Sequence, residues 1–172
     1  MDLYVQLAAN TIDRYIRKRE VYKPTAEELT PEMASSRAGA FVSIHEKGEL
    51  RGCIGTIAPT KQTLADEIIS NAIAASTRDP RFLPIREDEL DLLEISVDVL
   101  GEAELIGSPE ELDVKRYGVI VEKGYRRGLL LPDLEGVDTV DYQISIAKRK
   151  AGIGEHEKGV RLYRFEVIRH ER

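Results

Sequence analysis

The sequence has little of two things, cysteine and positive charge. It holds one cysteine in 172 residues, which excludes an intramolecular disulfide and a cysteine-rich zinc site. Its 25 lysines and arginines are outnumbered by 31 aspartates and glutamates, for a net charge of −6. Because binding to nucleic acid or to an anionic membrane relies on excess positive charge, neither partner is expected. The cysteine usage predicts a cytoplasmic protein.

Long apolar runs are missing as well. No stretch approaches the roughly 18 uncharged apolar residues that a membrane span needs. The segment 1–6 carries an acid where a signal peptide would carry bases, so we expect no targeting segment. What is present is a globular composition, 42% hydrophobic and 33% charged. At this length the sequence predicts a single domain over residues 1–172.

Three segments repeat apolar side chains at helical spacing. We expect helices over 3–18, 63–77 and 139–151, with a threonine capping the second helix and a glycine ending the third. The first helix carries a basic face, which we interpret as solvated. RNA binding through that face and through 148–150 is a weaker alternative, given the acidic net charge.

Other segments favour strands. Hairpins are predicted over 40–57 and 118–132, and single strands over 93–99, 102–106 and 160–168. Because helices and hairpins are interspersed without a regular strand-helix-strand repeat, the order favours an α+β fold. Its sheet should be mostly antiparallel, with flanking helices.

The first hairpin carries the cysteine, and its loop length decides which side chains share a face. We expect a three-residue loop over 46–48 that ends in a left-handed glycine. That register places an apolar set on one face: Val42, Ile44, Leu50, Gly52 and Ile54. It places a more polar set on the other: Phe41, Ser43, His45, Arg51 and Cys53.

The run Leu50–Thr56 is the most unusual segment. Glycines near Cys53 remove side-chain bulk, so that a ligand or another backbone could approach closely. The guanidinium of Arg51 would favour the thiolate by lowering the pKa of Cys53. The alternative is a small buried cysteine beside glycines that mark a bulge.

Few residues could assist such a thiol. His45 is the one histidine near Cys53 in this register, and we interpret it as a surface residue. His156 has flanking acids but no diagnostic ligand spacing, so no metal site and no cofactor is predicted. The turn at Asp79 and Arg81 could clamp an anionic substrate, and a structural ion pair explains it equally well.

The run Leu50–Thr56 resembles the hallmark of the AMMECR domain family. Six further segments are similar in order and spacing, and with them the resemblance covers essentially the whole chain: Gly39–Ser43, Asp79–Phe82, Glu94–Val97, Gly128–Pro132, Lys150–Ile153 and Tyr163–Glu166. The segment 154–158 departs from the aromatic-containing stretch expected there.

The resemblance implies two unequal lobes in one compact unit. The larger lobe would use both termini and the smaller the middle third of the chain. The resemblance also implies an unsettled molecular activity and, since prokaryotic members are often encoded near a radical-SAM protein and a Memo-like protein, a shared pathway with them. Carried over residue by residue, the family motifs give a catalytic pair, Cys53 and Arg51, and a ligand-binding set, Gly52, Gly55, Asp79 and Arg81.

Two classes of function remain open at this point. The first is an enzyme, or a component of an enzyme system, with a cysteine-containing pocket at Leu50–Thr56 and a small-molecule substrate. The alternative is a non-enzymatic adaptor that docks a partner protein at the glycine-rich strand. A homodimer is compatible with either class.

Overall fold

The computed structural model describes residues 2–171, and within them the chain forms four α-helices and eight β-strands. The helices are α1 (Leu3–Lys18), α2 (Pro31–Ser35), α3 (Leu64–Thr77) and α4 (Val140–Ala151). The first four strands are β1 (Ala40–Glu46), β2 (Glu49–Gly55), β3 (Leu93–Leu100) and β4 (Glu104–Ile106). The others are β5 (Gly118–Lys123), β6 (Arg126–Leu130), β7 (Arg161–Phe165) and β8 (Val167–His170).

The helices begin and end where their local sequence predicts. The side chain of Thr63 caps α3 by accepting a hydrogen bond from the backbone amide of Asp66 at 3.1 Å. Thr139 caps α4 in the same way. Gly152 ends α4 in a left-handed conformation, with φ of 72°, which glycine adopts without steric cost. The three predicted helices are confirmed.

The chain divides into two compact units, each with its own sheet. Unit 1 takes the residues up to Leu100 together with those from Ile168 onward. Its sheet has the strand order β2-β1-β3-β8, and β1 pairs antiparallel with both β2 and β3. Helices α1 and α3 pack on one face of this sheet, over a core that includes Val42, Ile44 and Val97. Strand β2 therefore lies at an edge of the sheet.

Unit 2 is the continuous segment Gly101–Val167. Its sheet has the order β4-β7-β5-β6 with antiparallel pairing, and α4 packs against β5 and β6. The core of this unit includes Val119, Val121, Leu130 and Ala147. The predicted α+β class with antiparallel pairing is confirmed. The strands form two sheets rather than one.

The first hairpin differs from its predicted register in one respect. Its turn has two residues, Lys47 and Gly48, both at positive φ, which matches the right-handed twist of the flanking strands. The pairing then shifts next to Ile44, so that Arg51 is an extra, bulged residue on β2. The bulge restores the predicted faces beyond it and leaves Leu50 on the polar face, opposite His45.

The predicted closing strand over 160–168 is also revised. It is two strands, β7 in the sheet of unit 2 and β8 in the sheet of unit 1, separated by Glu166. The backbone carbonyl of Glu166 accepts a hydrogen bond from the backbone amide of Gly101 at 2.8 Å, and it lies outside both ladders. An alternating apolar pattern does not reveal which sheet a strand joins.

Candidate functional site

Cys53 lies on the edge strand β2, on the sheet face opposite α1 and α3. It stands directly across from Ser43 on β1, and Ser43 in turn stands across from Ser96 on β3. The sulfur of Cys53 and the hydroxyl oxygen of Ser43 are 3.2 Å apart, within hydrogen-bonding distance. All three side chains are half-buried. The thiol is therefore one end of a polar row across three strands.

The loop after α3 fixes the backbone of the cysteine. The backbone amide of Cys53 donates a hydrogen bond to Oδ2 of Asp79 at 3.0 Å. Arg81 binds the same carboxylate with two guanidinium nitrogens, Nε to Oδ1 at 3.1 Å and Nη2 to Oδ2 at 2.8 Å. These hydrogen bonds and the charge of Arg81 hold the pKa of Asp79 well below its usual range. Asp79 is thus ionised at every physiological pH and joins β2 to the loop.

The two members of this ion pair differ in exposure. The side chain of Asp79 is 3% exposed, and that of Arg81 is 57% exposed. The guanidinium also lies over the ring of Phe82, with 5.4 Å between the guanidinium carbon and the ring centroid. A ligand at this surface would meet the cation, because the carboxylate is covered.

The expected lowering of the thiol pKa is wrong. Burial raises the pKa of Cys53 above its ordinary value, since a thiolate loses hydration inside the protein. The contact with Ser43 and the positive charge of Arg81 act in the opposite direction, and Asp98 and Asp79 add to the increase. The thiol is therefore protonated at neutral pH.

Arg51 is not the cation that acts on the thiol. Its guanidinium donates to Glu89 from Nε at 2.9 Å and from Nη2 at 3.1 Å, and from Nη1 to the carbonyl oxygen of Leu83 at 2.7 Å. Glu46 lies 3.8 Å from the same group. The bulge turns Arg51 toward these partners, although strand alternation places it on the face of Cys53. It stabilises the site by tying β2 to the loop that carries Arg81.

The glycines near the thiol are explained by packing within the chain. A Cβ atom on Gly52 would lie 2.2 Å from the backbone carbonyl oxygen of Ala75 in α3. A Cβ atom on Gly55 would lie 2.2 Å from the ring of Phe41. The space expected for a ligand beside these glycines is thus filled by a helix backbone on one face and an aromatic ring on the other.

The two histidines weighed in the sequence, His45 and His156, differ in exposure. His45 is half-buried opposite Glu94, and His156 is exposed. Within residues 2–171, no three His, Cys, Asp or Glu side chains are grouped closely enough to hold an ion.

Two carboxylates that matter to unit 1 were not singled out from the sequence. Glu67 is buried and accepts hydrogen bonds from the backbone amides of Thr60 and Lys61 and from the hydroxyls of Thr56 and Thr60. Its position between apolar helix neighbours was the available signal. Asp98 is also buried, bound by both Nε and Nη2 of Arg169. Because Asp98 and Arg169 are 71 positions apart, no local sequence pattern predicts their pairing.

The lengths and compositions of the helices can be compared with what a membrane span requires. None of the helices over residues 2–171 is both long and apolar enough to cross a lipid bilayer.

The fold and site define a class: an α+β protein with a protonated thiol on an edge strand, held there by an aspartate-arginine pair. The AMMECR1 family profile matches residues 5–170 of the chain. A Thermotoga maritima protein is 54% identical over 169 residues, which cover 98% of this chain and 97% of that protein. This chain belongs to the AMMECR1 family.

Two further relatives support the assignment. A Clostridium acetobutylicum protein is 47% identical over 99% of this chain, which spans 36% of that longer protein. The crystal structure of an uncharacterized protein from Pyrococcus horikoshii matches with a TM-score of 0.88 and 31% identity. The match covers 96% of this chain and 88% of that one. The family resemblance seen in the sequence is confirmed.

Proposed function

We propose that the surface around Cys53 is the working site of an enzyme, or of a component of an enzyme system, that uses the thiol as a nucleophile. One observation carries the proposal. The half-buried thiol of Cys53 and the exposed guanidinium of Arg81 are both positioned by the carboxylate of Asp79, which binds the cysteine amide and the arginine fork. Because Asp79 holds both residues, the thiol and the cation are already in fixed positions before a ligand binds.

In this proposal the residues have separate roles. Cys53 is a neutral thiol at rest and ionises when a ligand or partner group accepts its proton. The hydroxyl of Ser43 and the charge of Arg81 then stabilise the thiolate, because both lower the pKa of Cys53. Asp79 and Arg51 are positioning residues. Gly52 and Gly55 serve the packing of β2 rather than ligand contact.

The test follows alkylation of Cys53 by iodoacetamide as a function of pH. Because the chain has one cysteine, intact mass reports this thiol alone. We expect single labelling with a midpoint above the ordinary thiol pKa of 9.0, and a higher midpoint in Ser43→Ala and in Arg81→Gln. The urea-unfolded chain should titrate near 9.0 and is the control. A folded protein that resists labelling at every pH at which it stays folded, a midpoint at or below 9.0, or variants with unchanged midpoints would overturn the proposed roles.

A ligand screen provides the functional readout. A metabolite that raises the melting temperature of the protein should protect Cys53 from alkylation. If turnover of that metabolite survives intact in Cys53→Ser, the nucleophilic role is wrong.

A second candidate is an adaptor that docks a partner strand on β2, and the edge position of this strand favours it. Strand addition uses the backbone groups that point away from β1, which alternation assigns to Cys53 and Gly55. The carboxylate of Asp79 already binds the amide of Cys53, so the partner would have to displace it. Partner capture that Asp79→Asn increases and Cys53→Ser leaves unchanged would favour the adaptor over the enzyme.

The wider setting is part of the same proposal. From the family resemblance we propose a place beside a radical-SAM protein and a Memo-like protein, and that residues 1–172 form one domain of two lobes. A cytoplasmic location fits a working free thiol, which a reducing compartment preserves. Cell fractionation tests the location, and light scattering tests whether the chain is a homodimer.

A further inference from the structure

We infer that the ligand of the Cys53 site carries an anionic oxygen group, such as a carboxylate, and that Arg81 binds this group beside the thiol. The inference rests on the proposed function, because it names the substrate class of that same site. It adds a charge requirement, which the proposed function does not contain.

The donors of Arg81 are divided between the protein and the surface. The hydrogen bonds to Asp79 use Nε and Nη2, and the backbone amide of Arg81 also donates to Asp79 at 3.1 Å. Nη1 has no hydrogen-bond partner among residues 2–171. The pairing with Asp79 fixes the plane of the guanidinium, so the remaining donors point in a set direction on a side chain that is 57% exposed. Arginine recognises carboxylates and phosphates through such oriented donors.

Near the thiol, the negative charges are buried and the positive charges are exposed. Two carboxylates act on Cys53, and both are buried beneath an arginine: Asp79 under Arg81, and Asp98 under Arg169. In each pair the arginine is the exposed member. An anion approaching from solvent therefore meets guanidinium groups first, although the charges within each pair cancel.

The remaining charged groups nearby do not reverse this order. Arg78, at the end of α3, is exposed and adds positive charge to the loop. The carboxylate of Glu89 is 10% exposed and is bound by Arg51. Glu94 is exposed on the same sheet face, but it stands opposite His45. It is two positions along β3 from Ser96, the end of the polar row.

Two alkylating reagents of nearly equal size test the charge requirement. Iodoacetate is a carboxylate and iodoacetamide is its neutral counterpart. In both reactions the thiolate sulfur of Cys53 forms a bond to carbon, the carbon–iodine bond breaks, iodide leaves, and the thiol proton passes to water. Any effect of the thiol pKa on rate is common to both reagents. The rate constant for iodoacetate divided by that for iodoacetamide therefore reports how strongly the site attracts the anionic group of the reagent.

We expect the ratio of the iodoacetate to the iodoacetamide rate constant to be higher in the folded protein than in the urea-unfolded chain. The increase should be at most about fivefold, the value for an uncompensated unit charge about 4 Å away in a water-like medium, because Asp79 offsets part of the charge of Arg81. The preference should fall as sodium chloride is raised, because salt screens an exposed charge. Arg81→Gln should remove the preference and Arg81→Lys should restore most of it. Arg17→Gln is the matched control, since Arg17 is an exposed, ion-paired arginine on α1.

The outcomes separate the two proposals. If neither reagent labels the folded protein, the proposed function fails. If both reagents label it with the ratio of the unfolded chain, this inference fails and the proposed function stands. If Arg81→Gln does not fold, the salt dependence of the wild-type ratio decides. A salt-independent ratio, or a preference that survives in a folded Arg81→Gln, would overturn the assignment to Arg81.

Discussion

Gly52 is the position where packing and ligand access make opposite predictions. In Gly52→Ala the new Cβ atom would lie 2.2 Å from the carbonyl oxygen and 3.3 Å from the carbonyl carbon of Ala75. The obstacle is helix backbone, which cannot rotate away as a side chain can. Strand β2 and helix α3 would have to separate by about 1 Å, a gap that forfeits up to half of the dispersion energy of the contacts it opens.

The expected cost follows from that separation. Overpacking a core costs about 1–3 kcal/mol of the free energy of unfolding when side chains can adjust. Because both groups here are backbone, we expect about 3 kcal/mol, the upper end of that range. Urea unfolding followed by circular dichroism measures it, with an unchanged slope as evidence that the folded and unfolded states are otherwise comparable.

Gly55→Ala is the matched control. Its Cβ atom would meet the ring of Phe41, also at 2.2 Å, but this half-buried side chain can swing toward solvent. We expect a loss of about 1 kcal/mol, the low end for overpacking, and relief of most of that loss in the double variant with Phe41→Ala. If Gly52→Ala costs less than about 0.5 kcal/mol, as at an unconstrained surface position, yet slows alkylation of Cys53, the packing explanation is wrong.

Glu67 and Glu89, two buried carboxylates of unit 1, give the remaining predictions. Glu67→Gln should cost about 1–2 kcal/mol, because the amide keeps an acceptor for the two backbone amides and loses the charge; Glu67→Ala should cost more. Thermal unfolding at neutral pH measures both. Arg51 lowers the pKa of Glu89 to about 2, so the stability from this pair is present above the ordinary value of 4.5 and is lost as the pH falls toward 2. Arg51→Met should cost about 3 kcal/mol at pH 7 and flatten the acid dependence of the melting temperature; an unchanged dependence would contradict the pairing.

The helices were predictable because their signals are local. The apolar spacing, the capping threonines and Gly152 lie within a few residues of the ends that they determine. The α+β class followed from the order of such segments. The faces of the first hairpin beyond its bulge were also correct, because period-two alternation survives a shift that restores the register.

The electrostatics of the site were not predictable in this way. The amide of Cys53 is bound by Asp79, and the guanidinium of Arg51 by Glu89, across 26 and 38 positions of the sequence. Proximity along β2 suggested Arg51 as the activating cation, whereas the fold links Arg81 through Asp79 to the backbone of Cys53. The pKa of Cys53 depends on burial, which neighbouring residues in the sequence do not report.

The order of the strands along the chain also determines when each sheet can be completed during synthesis. Unit 1 receives its fourth strand, β8, only after the whole of Gly101–Val167 has been made. At about 5–20 residues per second, that interval lasts several seconds. During this time Asp98 lacks Arg169, its charged partner in the finished protein. A released chain that ends before residue 168 should therefore leave the cysteine-bearing sheet incomplete and exposed to proteases and chaperones, while unit 2 has all of its strands.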